Sequence, residues 1–228
     1  ERFDRLALEA APDDPVTRTL LATRAERVPL ITGSADSAQR LRALVAADSS
    51  GLPEPRIALA RVLRIADSPE ASSALEDALG ALPPFALQTR MLLRLEAALS
   101  PEALRVVLTP RRDSLTTAER ALDLAADSAV GAFFAALLFA EAGALEAAWA
   151  QGRAALARGL REASGDPVDA ASVDLVLARL ALRAGAAPEA SRLALRAETA
   201  WRAAGREDAA RLASDLRQQA IWASARNR

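Results

Sequence analysis

The amino-acid sequence predicts an all-α fold of about 12 or 13 helices packed as antiparallel pairs, and three observations lead to this prediction. About a quarter of the 228 residues are Ala, the strongest helix former, whereas aromatic residues make up 4%. The sequence has no run of β-branched or aromatic residues that is typical of a strand. Pro, Gly, Ser and Asp divide the chain into segments in which apolar residues recur three and four positions apart.

The predicted helices follow this punctuation, and most of the connections between them are about two to six residues long. Connections this short place consecutive helices side by side in opposite directions. Longer loops are predicted at 28–35 and 108–115. The helices are predicted at 3–11, 15–27, 36–47, 55–66, 69–80, 85–98, 101–108, 116–126, 129–141, 144–163, 168–184, 188–204 and 206–225.

One type of helix start recurs, with Ser or Ala followed by Pro, Glu and Ala at 68–71, 100–103 and 187–190. Ser can cap the free amides of the first turn, Pro fits the first helical position, and Glu meets the positive end of the helix dipole. Left-handed glycines are predicted to end three helices, at Gly143, Gly185 and Gly205.

Equivalent helix starts at Ala38, Ala71 and Ala103 are 33 and 32 residues apart, a spacing typical of helical repeats, and the next two intervals are 44 and 43 residues. The stretch 129–160 has small, aromatic, Gly, small, small and large residues in the order of a tetratricopeptide (TPR) repeat: Ala136, Phe139, Gly143, Ala148, Ala155 and Leu156. Shorter matches are Leu177, Ala178, Gly185, Ala190 and Ala197, and Ala71, Ala78, Leu79 and Pro83. The sequence therefore resembles a degenerate TPR array over about 120 residues.

This resemblance implies a right-handed α-solenoid, with a single helical-repeat domain over 1–228 that is irregular over 1–115 and clearer over 116–228. The early Trp and Tyr positions of the TPR pattern are absent, and two intervals are too long for it. HEAT-like repeats, an irregular solenoid and a globular helical bundle therefore stay open.

Residue types that are absent exclude most catalytic chemistries. All 29 basic side chains are Arg, and the sequence contains no Lys, His, Cys or Tyr. This excludes a Cys/His metal site, a Ser-His-Asp or Cys-His catalytic group, a disulfide, a Schiff base and a P-loop lysine. Glu119, Asp123 and Asp127 form an acidic stripe, and with Glu141 they leave a carboxylate-based metal site or enzyme as a remote alternative. We expect a non-catalytic protein without cofactor or metal.

Composition also bears on origin and compartment. Arg without Lys, abundant Ala and a single Asn indicate a GC-rich bacterial genome. The longest uncharged stretch, 128–140, is shorter than the roughly 20 residues that span a bilayer, so no transmembrane segment is predicted. We expect a soluble or peripherally membrane-associated protein, cytoplasmic or periplasmic, and the start at Glu1 leaves room for a removed leader.

In TPR arrays the first helices of the pairs line a groove that binds a peptide or a partner's helix. The resemblance implies that the groove residues here are Arg56, Leu63, Arg64, Phe133, Leu137, Glu141, Leu175, Arg179 and Arg183. Arg179 and Arg183 are four residues apart, as are Arg90 and Arg94, so each pair can clamp a carboxylate of an acidic peptide. The alternative is ordinary solvated arginine.

The distribution of charge and a tryptophan near the C-terminus both suggest that the C-terminal part of the chain meets a partner. Residues 115–175 contain 9 acids and 4 arginines, whereas 176–228 contain 10 arginines and 5 acids. The basic part either attracts the acidic part or meets an acidic protein or lipid headgroups; few aromatic residues are available to stack on nucleic acid.

Ile221 and Trp222, near the end of the last helix, either anchor a partner or fold back on the preceding helix.

Together these features predict a protein–protein interaction scaffold, most simply a structural or accessory subunit of a larger assembly, membrane-associated assemblies included. The alternative is a TPR-type adaptor that binds a peptide in an arginine-lined groove. The expected partners are other protein subunits.

Overall fold

The computed structural model of the chain describes residues 22–23, 35–48, 51–109, 114–124 and 127–226. These residues contain twelve helices and no strand, which confirms the all-α prediction for this part of the chain. None of these helices is long and apolar enough to cross a membrane. The helices are α1 (Ala35–Ala47), α2 (Pro53–Ile65), α3 (Ala71–Ala81), α4 (Leu87–Ala97), α5 (Pro101–Leu108), α6 (Ser114–Leu124), α7 (Ala129–Glu141), α8 (Leu145–Ala157), α9 (Leu160–Ala163), α10 (Pro167–Arg183), α11 (Ala187–Ala203) and α12 (Glu207–Arg226).

Helix ends lie within two residues of their predicted positions from α1 to α7 and from α10 to α12. The prediction of one helix over 144–163 is wrong, because Gly159 separates α8 from α9 with a left-handed φ of 84°. The predicted helices at 3–11 and 15–27 lie outside the described residues except for 22–23, which are helical. The predicted loop at 28–35 also lies outside them up to residue 34.

Local capping explains several of these ends. Ser100 precedes α5, and its Oγ accepts a hydrogen bond from the Ala103 amide at 3.1 Å, as the recurrent helix start predicts. The start at Ser68 differs, because Ser68 Oγ accepts from the Glu70 amide and α3 begins only at Ala71. The predicted left-handed glycines are confirmed, with φ of 80°, 80° and 68° at Gly143, Gly185 and Gly205.

The helices belong to two compact units, the first of which lies within residues 1–85 and 100–109. In this unit α1, α3 and α5 each contact α2. Its core includes Leu41, Val62 and Leu104, which are fully or almost fully buried. Arg105 Nη2 donates a hydrogen bond to the Ile65 carbonyl at 3.3 Å, which links α5 to the end of α2.

The second unit lies within residues 86–99 and 110–228. Helix α7 contacts α6, α8 and α9, while α10 contacts α4, α8, α9, α11 and α12, and α11 also contacts α12. Many of the facing side chains are alanines that have no exposed surface, and such small residues let helices approach closely. These alanines include Ala178, Ala181, Ala190, Ala194, Ala197, Ala210, Ala213 and Ala220.

Candidate functional site

Two of the arginines predicted in the groove, Arg56 and Arg64, are held by acids of their own chain. Arg56 Nη1 lies 2.8 Å from Asp48 Oδ2 and donates to the Leu52 carbonyl at 2.7 Å. Arg64 Nη1 lies 3.3 Å from Asp67 Oδ1. Because the Asp48 carboxylate is buried between α1 and α2, Arg56 compensates its charge and fixes this turn.

Arg56 and Leu63 also line a cavity of about 310 Å³ among α1, α2 and α3. Its other arginine, Arg42, forms an ion pair with Glu70 at 2.6 Å. Both arginines of this cavity therefore already have an acidic partner, which leaves less positive charge for a ligand.

Phe133 lies in the core rather than in an open groove. Its side chain is fully buried, and its ring packs edge-on against Phe134 with 5.7 Å between the ring centroids. Helix α7 is apolar around its whole circumference, so α6, α8 and α9 cover it on several sides. We therefore leave Phe133 out of any partner-binding surface.

Arg179 and Arg183 are both exposed on α10, one helical turn apart. Neither forms an ion pair with another described residue, so both guanidinium groups are available. The second predicted pair behaves differently, because Arg94 Nη1 donates to Oδ2 of Asp169. Arg94 thus clamps a carboxylate of its own chain and joins α4 to α10, 75 positions apart in sequence.

Buried carboxylates held by arginines from neighbouring helices recur in the second unit. Asp169 on α10 is one, and burial raises its pKa even though Arg94 acts in the opposite direction. Glu198 on α11 is another; Arg202 Nη1 lies 2.6 Å from its Oε1, and Arg217 Nε of α12 lies 3.4 Å from its Oε2. These ion pairs connect α4 to α10 and α11 to α12, while the pair of Arg202 with Glu198 lies within α11.

Asp174, on α10, is the third such carboxylate and has no exposed surface. Arg196 Nη2 of α11 donates to its Oδ1 at 3.0 Å, and Arg161 Nε of α9 lies 3.1 Å from its Oδ2. Burial raises the pKa of Asp174 above its ordinary value of 3.8, against the opposing effects of Arg196 and Arg161.

Asp169, Asp174 and Glu198 are not among the residues predicted from the sequence. One signal was present, because Asp169 and Asp174 interrupt an otherwise small and apolar stretch over 167–178. Acids inside such a stretch point to buried carboxylates that need a basic partner. The sequence does not reveal which arginines supply it.

A cavity of about 580 Å³ opens beside the ion pairs of Asp174 with Arg161 and Arg196, among α8, α9 and α11. We call it the arginine pocket, because four arginines and two glutamates line it: Arg153, Arg161, Arg192, Arg196, Glu162 and Glu189. The rest of its wall is apolar and consists of Trp149, Leu156, Leu193 and Leu195. The pocket thus combines an excess of positive charge with an apolar wall.

Helix α12 presents apolar side chains to solvent. Trp222 is 64% exposed, Leu212 55% and Ile221 45%. Trp222 lies opposite the buried side of the helix, with Leu212 and Ile221 on either side of it, and we call these three residues the α12 face. Trp201 by contrast is almost fully buried, and its Nε1 donates to the Val168 carbonyl at 3.3 Å. The structure therefore places Trp201 in the core and leaves most of the Trp222 indole in solvent.

The acidic stripe is not continuous along one helix. Glu119 and Asp123 lie exposed on α6, while Asp127 follows the end of that helix. Within the described ranges, no group of three or more acidic side chains is arranged to hold a metal ion.

No protein-family model matches the sequence, and no curated protein matches it significantly.

Proposed function

We propose that this protein is a non-catalytic structural or accessory subunit that binds another protein subunit through the α12 face. The observation that carries the proposal is the exposure of Trp222. Its neighbours one turn away, Gln218, Gln219 and Arg226, are also exposed, so the indole stands on the outward side of α12. A tryptophan so placed offers a large, rigid apolar surface, and such residues are frequent interface hot spots.

The surroundings of Trp222 suggest the chemistry of the partner. Ile221 borders a cavity of about 390 Å³ that Pro188 and Ser191 of α11 also line, and a partner side chain can enter it. Arg226 is exposed one turn from Trp222, whereas Arg211 forms an ion pair with Asp208 at 3.6 Å, so charges of both signs border the apolar residues. A partner with an apolar centre and a polar rim is complementary to this surface.

We further propose that α7–α8 and α10–α11 are TPR-like helix pairs of a right-handed solenoid and that α12 begins the next pair. Consecutive helices of this unit contact each other, and α10 also contacts α12, which supports the proposal. The left-handed turns at Gly143 and Gly185 occupy equivalent places in the two pairs. HEAT-like repeats predict similar contacts and stay an alternative.

The experiment that tests the proposed function compares Trp222→Ala with Phe85→Ala in affinity purification from the native source, with partner recovery quantified by mass spectrometry. Phe85 is the matched control, because it is an aromatic residue of the first unit that is 84% exposed. We expect Trp222→Ala to reduce recovery of the partner about tenfold or more, and Phe85→Ala to leave it unchanged. Circular dichroism should show equal helicity for both variants, and equal partner recovery would refute the role of α12.

A second candidate function is an adaptor that binds an acidic peptide on α10. The supporting observation is that Arg179 and Arg183 are exposed and form no ion pair with other described residues. Replacing both with Ala should weaken peptide binding and reduce its dependence on salt. Unchanged affinity would assign these arginines to the ordinary solvated surface.

A further inference from the structure

We infer that the arginine pocket binds a short acidic peptide segment that carries a bulky apolar residue. This site is distinct from the α12 face, and the second helices of the proposed pairs, α8 and α11, form most of it together with α9. The predicted TPR groove, in contrast, is a property of the first helices. The inference therefore concerns a surface that neither proposed function uses.

The inner part of the pocket holds two arginines in fixed positions. Arg161 and Arg196 each direct one nitrogen to the buried carboxylate of Asp174. No other ion pair or hydrogen bond to a described residue engages the remaining N–H groups of these two planar side chains. A guanidinium that is already anchored loses less conformational entropy when it binds a second carboxylate, so this part of the pocket is preorganised for an anion.

The outer part of the pocket supplies further charge. Arg153 and Arg192 are exposed, and neither forms an ion pair with a described residue. Glu162 and Glu189 form no ion pair with a described residue either, so the pocket contains acids and bases that do not neutralise each other by direct contact. Four arginines against two glutamates leave a positive excess for acidic side chains, while the glutamates can accept hydrogen bonds from peptide amides.

The apolar wall favours a peptide over a simple anion as the ligand of the pocket. Leu195 is 45% exposed and borders the pocket with Leu193 and the largely buried Trp149. An inorganic anion would contact the guanidinium groups and leave this wall in water. The volume of about 580 Å³ lies within the range of roughly 300–1,000 Å³ typical of ligand pockets, so an apolar side chain and its flanking acids can enter together.

The test measures fluorescence anisotropy of labelled hexapeptide pools titrated with the full chain. The probe pool has Asp or Glu at both ends and Leu, Ile, Phe or Trp in the two central positions. In one control pool the acids are replaced by Lys, and in the other the central residues are replaced by Ser. We expect saturable binding of the probe pool below about 1 mM at roughly 0.1 M salt, and weaker binding of both control pools.

Variants then locate the site. Arg153→Ala with Arg192→Ala should weaken binding of the probe pool about tenfold, because two charge-assisted contacts are lost. These two arginines are chosen because removing Arg161 or Arg196 would also leave the buried Asp174 with one partner fewer. Arg120→Ala with Arg158→Ala removes the same charge from exposed positions outside the pocket, and we expect it to leave the affinity unchanged. Arg179→Ala with Arg183→Ala tests separately whether the peptide binds on α10.

Three results would overturn the inference. They are absence of saturable binding, loss of binding in the α10 variant but not in the pocket variant, and equal affinity for the pool with central Ser. The second result would mean that the peptide binds on α10, and the third would mean that the pocket binds anions in general. None of them bears on the α12 face, which Trp222→Ala tests separately.

Discussion

Asp174 shows how one side chain can be both well paired and unfavourably placed. Two arginines from different helices hold it, yet the cost of removing the carboxylate from water is the larger effect, so its pKa is raised. A raised pKa means that the ionised form is less favourable in the folded chain than in the unfolded chain. Asp174 therefore makes the stability of the fold depend on pH, with a more favourable contribution at low pH.

We predict that the free energy of unfolding depends differently on pH in Asp174→Asn and in the wild type. The contribution of Asp174 to the free energy of unfolding is most favourable below pH 3.8, the ordinary pKa of Asp. It is lost as pH rises through the higher pKa of the folded state. Because Asn does not titrate, the stability of the wild type relative to the variant should fall across this window. Urea denaturation at a series of pH values measures the difference, and a slope of opposite sign would mean that the arginines outweigh desolvation.

Phe133 and Trp222 show what sequence can and cannot predict about single residues. Both are aromatic residues predicted to meet a partner, but Phe133 belongs to a stretch without a charged residue over 128–140, which signals burial on all sides. Trp222 lies among Gln and Arg, which signals a solvent face. Placing the buried acids requires the neighbouring helices, because an acid on one helix does not indicate which arginine from another element will reach it.

At the scale of helices, Gly152 and Gly159 illustrate the limit of local patterns. Both lie within the segment predicted as one helix, but only Gly159 interrupts it. Gly152 stays helical at a close contact, where a Cβ atom would lie 3.1 Å from Leu177 Cδ2. Caps and turn glycines made most helix ends predictable, whereas the contact of α4 with α10 has no local signal because it joins distant segments.

We predict a large loss of stability at one helical glycine and almost none at another for the same substitution to Val. Gly152→Val should lower the free energy of unfolding by about 2 kcal/mol, because the new side chain meets the buried Leu177. Gly80→Val is the control, because no atom lies within 4 Å of a Cβ there, and its effect should stay within about 0.5 kcal/mol. Chemical denaturation of both variants tests the prediction, and equal stabilities would indicate that α8 and α10 can move apart freely.

At the scale of the whole molecule, the proposed repeat organisation makes a prediction about truncation. In a repeat protein each unit depends mainly on its neighbours, so removing a terminal helix weakens the chain without abolishing the rest. A chain ending at Arg206 lacks α12, which contacts α10 and α11. We expect it to retain cooperative thermal unfolding at a lower midpoint, with helicity reduced by the share of the missing residues. Collapse of the entire circular dichroism signal would favour a globular bundle instead.

The buried ion pairs have a consequence for the alignment of the helices. Faces built from alanine look nearly the same after one helix slides along another by a turn, about 5.4 Å, so they discriminate poorly between alignments. Such a slip of α11 would carry Arg196 away from Asp174 and leave the buried carboxylate with one arginine fewer. Asp169 and Glu198 impose the same condition on α4 and α12. We therefore expect these three acids to select one alignment among several that the alanines would tolerate.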